Sequence, residues 1–450
     1  MRAFVKAIIG FVVFAFLLAI ITIRPVDRQP YREAKYFKTT LDRLTEYEKK
    51  QAPSSKSKLF VGAGKAGITP HVGIPLAGFG ARKGAPSIDV HDSLFVRVIA
   101  LKSGEKMVCL IGFDALLLHP PIARAFEDSA GKRFHLLPEQ ILYTATHTHS
   151  GPGGWGQGFV EEQFAGPPDE HIAGFLIDSS LVATDRALKN MQAASYSTGV
   201  ISAPDYVRNR LVGDKGKTDP ELVYLALQGK DKPIAILATY SAHATVLSDR
   251  NMFMSGDYPG YLERRLEQQT GATAILAAAG LGSQSNRGTG NGFDKARNIG
   301  EALADSILAH LKPDVFQPQA ALSYLRFPID MHNLQIRISN GLRLAPWLAK
   351  KVLRTYDSYM QTVAVDSFLI IGSPGEFSGE LALVVKEHAK EKGLTATVTS
   401  FNGCYLGYVT PSEYYHLSTY ETRLMSFFGP YTGDYFVEIM NRLVDSIGEI

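Results

Sequence analysis

Residues able to bind a metal recur in this chain at one kind of place, the end of an apolar run. His147 and His149 close ILYTATHTHS, His243 closes PIAILATYSAHAT, and Glu376 follows FLIIGSPGE. Side chains alternate along a strand, so two histidines two residues apart point the same way. Either both imidazoles bind one ion, or one binds it while the other holds substrate or water. Singly, each residue has an ordinary explanation. The HxH pair can be a polar turn, His243 a hydrogen-bonded core histidine, and Glu376 an acid at the start of a helix. Together they point to a catalytic zinc, which takes about three protein ligands and keeps a position open for water. On the ion, the pKa of that water falls to about 7.

The elements that must position these residues are legible from periodicity. MVCLIGFDALLL, ILYTATHT, PIAILATYSAHAT, ATAILAAAG and SFLIIGSPGEF each begin as a buried strand. Amphipathic stretches lie between them, among them EHIAGFLIDSSLVATDRALKNM and KARNIGEALADSILAHL. The alternation predicts an α/β fold, with central β-sheets flanked by helices. In such sheets, ligands bind beyond the strand ends. Asp114, at the end of LIGFD, and Asp257, in SGDYPGY, are either acids that orient the ligands or acids that cap turns. The Gly-rich loops SGPGGWGQG, AAGLGS and SPGEFSG lack Walker and dinucleotide spacing, so no nucleotide is expected.

Composition narrows the field further. Among 450 residues, 47 are basic and 44 acidic, a net charge of +3, which gives no broad electrostatic footprint for nucleic acid. Two cysteines, Cys109 and Cys404, exclude a disulfide scaffold and a Cys-based zinc cluster, although the two can pair with each other. Residues 7–23, AIIGFVVFAFLLAIITI, carry no charge and are long enough to span a bilayer. They read as an uncleaved anchor or as a signal peptide, and either way the remainder is expected to be exported. The expected division is residues 1–23 as signal anchor or transmembrane helix, 24–57 as a polar stalk with a helix over 31–51, and 58–450 as the catalytic domain.

The chain resembles the neutral/alkaline non-lysosomal ceramidase family, amidases that cut the N-acyl bond of ceramide. The resemblance rests on AGITPHVGIPLAGFG, THTHSGPGG, the Asn209-Arg210 pair, SAHAT followed by SGDYPGY, LGSQSN, PGEF, and GYVTPSEYYHLSTYE with a later FGP. These segments follow the family's order from about Val61 to about Tyr435. The resemblance implies a Zn2+ held by His147, His243, Glu376 and Tyr408. It places His149 beside the bound amide, Tyr420 and Arg210 at the substrate carbonyl, and Gly78 in the wall of the site. The family's catalytic serine falls in Gly282-Ser283-Gln284-Ser285-Asn286, where register favours Ser285 over Ser283. Here the family's acidic or amide residue is Ser283 and its proline is Asn286; Leu211 replaces the serine after Asn-Arg. Whether a zinc-activated water or Ser285 attacks the amide stays open.

The family's well-known ceramidases carry a further C-terminal β-sandwich domain, and this chain is expected to be a short member without it. LRLAPWLAKKVLRTY, residues 342–356, interleaves apolar and basic residues, either as a membrane-surface helix or as a core helix with a basic outer face. The expected partners are a ceramide-like lipid and, through the N-terminal helix, a membrane; nucleic acid and nucleotide are not expected. The expected reaction releases a fatty acid and an amine. The alternatives are a zinc hydrolase of a non-sphingoid amide or ester, and a membrane-anchored protein that binds lipid without catalysis.

Overall fold

The computed structural model describes residues 2–50, 54–312 and 315–448. Residues 51–53, where the expected stalk helix meets its link, lie outside the described residues, as do 449–450 at the end of the expected catalytic domain.

Three sheets carry the fold. The first runs Gln319–Ala320, Ser57–Gly67, Phe95–Ser103, Lys106–Phe113 and Ile141–Ala145, with Gln192–Ala193 beside Ser57–Gly67. The second runs Thr273–Ala278, Pro233–Tyr240, Glu221–Gln228 and Ser195–Ser202. The third runs Leu322–Ile329, Ser358–Val365, Phe368–Gly372 and Thr395–Thr399. Each sheet is mostly antiparallel but contains a parallel pair: Lys106–Phe113 with Ile141–Ala145, Pro233–Tyr240 with Thr273–Ala278, and Phe368–Gly372 with Thr395–Thr399. Parallel neighbours need a crossover. Helices Pro120–Phe134, Asp257–Thr270 and Gly379–Glu391 supply the three crossovers.

The central strands are largely apolar because both of their faces are covered. In Pro233–Tyr240, Ala235 and Leu237 pack in a core shared by all three sheets, while Ile236, Ala238 and Tyr240 pack under helices Asp257–Thr270 and Gly292–His310. Val108 and Leu110 face the shared core, and Cys109, Ile111 and Phe113 face the helical layer behind. Phe368 and Ile370 alternate with Leu369 and Ile371 in the same way. This is the α/β arrangement expected, with sheets at the centre and helices outside. Helix Ile172–Lys189 approaches the first sheet closely over Gly62 and Gly64, where a Cβ would lie 2.0 Å from the carbonyl oxygens of Ala187 and Ala183.

One open point is answered and one expectation is corrected. Cys109 and Cys404 do not pair; both are free and buried. The segment expected as a polar stalk is in part packed onto the body. Helix Lys35–Lys50 buries Phe37 and Leu44 in the core of the third sheet. Its Thr40 hydroxyl accepts hydrogen bonds from Asp330 N and Tyr435 OH, both at 2.9 Å. A Lys- and Glu-rich helix looks free in sequence, but two apolar residues seven apart suffice to fix one face. The N-terminal helix Arg2–Thr22 contains a 19-residue stretch, Phe4–Thr22, of mean hydropathy 2.8, and lies apart from the core. The stretch 342–356 forms a strand, Leu342–Leu344, and a seven-residue helix, Pro346–Val352.

Candidate active site

The three parallel pairs deliver the site. His147 follows strand Ile141–Ala145, His243 follows Pro233–Tyr240, and Glu376 follows Phe368–Gly372. All three lie past the carboxyl ends of strands, where an open α/β sheet binds its ligand. His147 sits at φ +59, a left-handed conformation that non-glycine residues seldom adopt, and its ring stacks on Phe401 at 4.3 Å between centroids. Glu376 and Tyr408 are register partners in a short parallel pairing, Glu376–Phe377 with Tyr408–Val409.

The imidazoles converge. Nε2 of His147 lies 3.0 Å from Nε2 of His243 and 3.3 Å from Nε2 of His149. Glu376 Oε2 is 3.4 Å from His147 Nε2 and 3.6 Å from His243 Nε2. Nδ1 of His147 donates to Leu116 O at 2.7 Å, and Nδ1 of His243 to Leu281 O at 3.3 Å. Those bonds assign the tautomers and leave both Nε2 lone pairs facing inward. Burial, then Arg210, His147 and His149, hold His243 well below the usual imidazole range. Burial, then His147, Arg82 and Arg210, do the same to His149. Burial would push the Glu376 carboxyl up, but His147 and the hydroxyls of Tyr408 and Tyr405 outweigh it and keep the carboxyl ionised. Inward-facing imidazole nitrogens beside a buried carboxylate whose Oε2 has no hydrogen-bond partner fit a cation. A metal ion is therefore compatible with His147, His149 and His243, whose ligand atoms all lie within 4.8 Å of one another.

The cluster lies in a cavity of about 460 Å³. Gly78, Arg210, Tyr408 and Tyr420 also line it, with Phe79, Leu116, Phe164 and Met425 as apolar wall. Arg210 Nη2 donates to Tyr408 OH at 3.0 Å and to Gly282 O at 3.1 Å, and its Nε lies 3.0 Å from the Glu421 carboxylate. Tyr420 stands at the mouth, its ring edge-on to Tyr408 at 5.9 Å. Gly78 has φ +121, and a Cβ there would come within 2.5 Å of the His149 ring.

Ser285 is the exception. It belongs to the strand Gln284–Asn286, paired with Val207–Asn209, and its hydroxyl accepts from Arg208 Nε at 3.1 Å. It is not among the cavity-lining residues. Ser283 is buried and donates to the Glu380 carboxylate. Ser285 is nevertheless bridged through its backbone to His243. Asp114 and Asp257 also serve elsewhere. Asp114 accepts from Arg97 Nη1 and Phe95 N, and Asp257 from Leu247 N and Tyr258 N. Three contributors were not singled out from sequence. Tyr405 OH donates to Glu376 Oε1 at 2.7 Å, Asn286 Nδ2 donates to His243 O at 3.1 Å, and Phe401 backs His147. The spacing Tyr405-x-x-Tyr408 was the available signal for the first.

Residues 59–290 match the family described as neutral/alkaline non-lysosomal ceramidase, N-terminal. The chain belongs to that family. His147, His149, His243, Gly78 and Arg210 lie within the matched span, whereas Glu376, Tyr408 and Tyr420 lie beyond it. The chain is 26% identical over 192 residues to a neutral ceramidase from Pseudomonas aeruginosa, covering 36% of this chain and 27% of that protein. It is 22% identical over 249 residues to a neutral ceramidase from Mycobacterium tuberculosis, covering 49% of this chain and 37% of that one. The chain thus matches well under half the length of these curated relatives. The fold resembles the crystal structure of neutral ceramidase from P. aeruginosa, with a TM-score of 0.74 and 18% identity over 87% of this chain and 75% of that one. A structure described as ceramidase complexed with C2 gives a TM-score of 0.75 at 17% identity, over 87% and 76%. At those identities the likeness is one of fold.

Proposed function

We propose that the protein is a zinc-dependent amidase that hydrolyses the N-acyl bond of ceramide or a related N-acyl lipid, giving a fatty acid and an amine. The observation that carries this reading is the convergence of His147, His243, Glu376 and Tyr408 on one cavity in a chain of ceramidase ancestry. These four residues would hold the ion, which supplies Lewis acidity and a water of lowered pKa. Zinc is the ion proposed because two imidazoles and a carboxylate are a set that catalytic zinc takes.

The chain's own groups divide the remaining work. Tyr420 and Arg210, which line the cavity, would serve as donors to the substrate carbonyl, a kind of contact worth about 2.7–4 kcal/mol each in related chemistry. His149, neutral because of its burial, enters the reaction as a proton acceptor. It takes a proton from the attacking water and passes it to the nitrogen as the C–N bond breaks. The apolar wall of Phe79, Leu116, Phe164 and Met425 suits a hydrocarbon-bearing substrate.

A zinc hydrolase of a non-sphingoid amide or ester is the second reading, favoured by the engagement of Ser285 with Arg208. The N-terminal helix is proposed as a membrane anchor, with the domain from residue 58 onward on the exported side; cleavage of the helix would make the protein secreted. Fatty-acid release from ceramide, measured beside a panel of other N-acyl amides and simple esters, separates the readings. Preferential cleavage of ceramide supports the first. Turnover confined to the other amides or esters would replace it with the second.

A further inference from the structure

The foot of the apolar helix and the mouth of the site meet on one surface. Helix Arg2–Thr22 does not end in a free tether. Ala345 N donates to Thr22 O at 2.7 Å, and Trp347 Nε1 donates to Ile21 O at 3.2 Å. Ile23–Pro25 then pairs antiparallel with Leu342–Leu344, and Arg343 Nε donates to Pro25 O at 3.0 Å. The same hairpin grips the strap that bears the mouth. Arg423 Nη2 donates to Ile338 O at 2.9 Å, and Arg337 Nη2 donates to Leu417 O. The Tyr420–Leu424 turn at the cavity entrance is therefore fastened to the element that holds the helix.

Exposed apolar side chains continue across this region from the helix itself. Trp347 is 47% exposed, Leu342 43%, Leu424 60% and Tyr420 47%. Between Asp330 and Asp357 the sequence has no acidic residue and five basic ones, of which Arg337 is buried and Arg343 part-buried. Lys350, Lys351 and Arg354 are exposed. An indole with one apolar and one polar side suits the headgroup boundary, and clustered Lys and Arg beside a spanning helix suit anionic lipid.

We propose that this surface seats on a lipid bilayer bearing anionic headgroups, with Trp347 at headgroup depth. The site is then held mouth-down by a docked foot, not swung from a flexible stalk. The inference rests on the anchor reading of the N-terminal helix and is independent of which lipid is cleaved.

The full chain, reconstituted in phosphatidylcholine vesicles with and without phosphatidylglycerol, tests it. The readouts are co-flotation and quenching of tryptophan emission by lipids brominated near the headgroup. Trp155 is buried and gives a constant background. The expected result is co-flotation with blue-shifted, quenched emission, and loss of both spectral effects in Trp347→Phe. In Lys350→Glu/Lys351→Glu, the extra quenching that phosphatidylglycerol brings should be lost while flotation persists. Co-flotation with emission that lipid does not quench would overturn the docked foot and leave a loose anchor. Failure to co-float would overturn the anchor reading itself. Neither outcome depends on catalytic activity, so both are distinct from failure of the amidase reading.

Discussion

His147 and His243 point their Nε2 atoms at each other across 3.0 Å while their Nδ1 atoms are tied to the backbone carbonyls of Leu116 and Leu281. With both Nδ1 atoms protonated, two lone pairs oppose each other in a buried site. Neither ring can donate to the other unless one is charged, and the surroundings of His243 disfavour its charged form. A bound cation removes the conflict by accepting both lone pairs. The carboxylate of Glu376, within 3.6 Å of both rings, adds the balancing negative charge.

Tyr405 holds that carboxylate by one hydrogen bond at 2.7 Å. Groups that orient a metal ligand commonly contribute about 10–100-fold to metal affinity or activity. Tyr405→Phe should therefore weaken metal binding by about tenfold, read by chelator competition, with an unchanged far-UV spectrum. Affinity equal to that of the native chain would remove Tyr405 from the site.

Gly78 leaves the space that the His149 ring occupies. Alanine there meets the ring at 2.5 Å from an unfavourable backbone conformation. Gly78→Ala should cost about 1–3 kcal/mol of stability and reduce kcat through displacement of His149. Urea unfolding and single-turnover kinetics read the two effects. A fully active, fully stable Gly78→Ala would mean that the ring has room to move.

Ser285 offers its hydroxyl to Arg208, while its backbone bridges to that of His243. Ser285→Ala should leave kcat/KM nearly unchanged and cost stability of about 1.5–3 kcal/mol at most, the worth of a hydrogen bond to a charged group. A fall of several orders of magnitude would restore the serine to the chemistry.

Asp257 is fully buried, and that burial raises its pKa from 3.8 to about 6 despite backbone donors from Leu247 and Tyr258. A carboxyl raised on folding stabilises the native state fully below its unfolded pKa. That contribution is lost as pH rises through the folded value. Stability should thus fall between about pH 4 and pH 6 by an amount on the order of 3 kcal/mol from this group. Urea midpoints of the native chain and Asp257→Asn across that window should differ in slope; parallel profiles would reject the assignment.

Much of this was legible in the sequence because ligand-type residues sit where apolar runs stop. His147, His149, His243 and Glu376 announced themselves in that way, and the apolar runs were buried strands. Tyr408, Tyr420, Arg210 and Gly78 came only from resemblance, since a tyrosine or glycine in a loop has no periodic signature. Ser285 was assigned by register along LGSQSN. Register cannot tell which way a hydroxyl turns in a two-stranded ribbon. The packing of Lys35–Lys50 was missed because its polar composition hid Phe37 and Leu44, whose burial depends on partners about 300 or more residues away in sequence, such as Phe327 and Tyr435.

The most direct test of the central claim is the metal content of the purified full chain and of His243→Ala, with amide hydrolysis followed through chelation and restoration of the ion. The account predicts about one zinc per native chain, activity lost on chelation and recovered on adding zinc back, and a folded His243→Ala that lacks both metal and activity. A folded native chain without bound metal, or one that hydrolyses amides equally well after chelation, would contradict it.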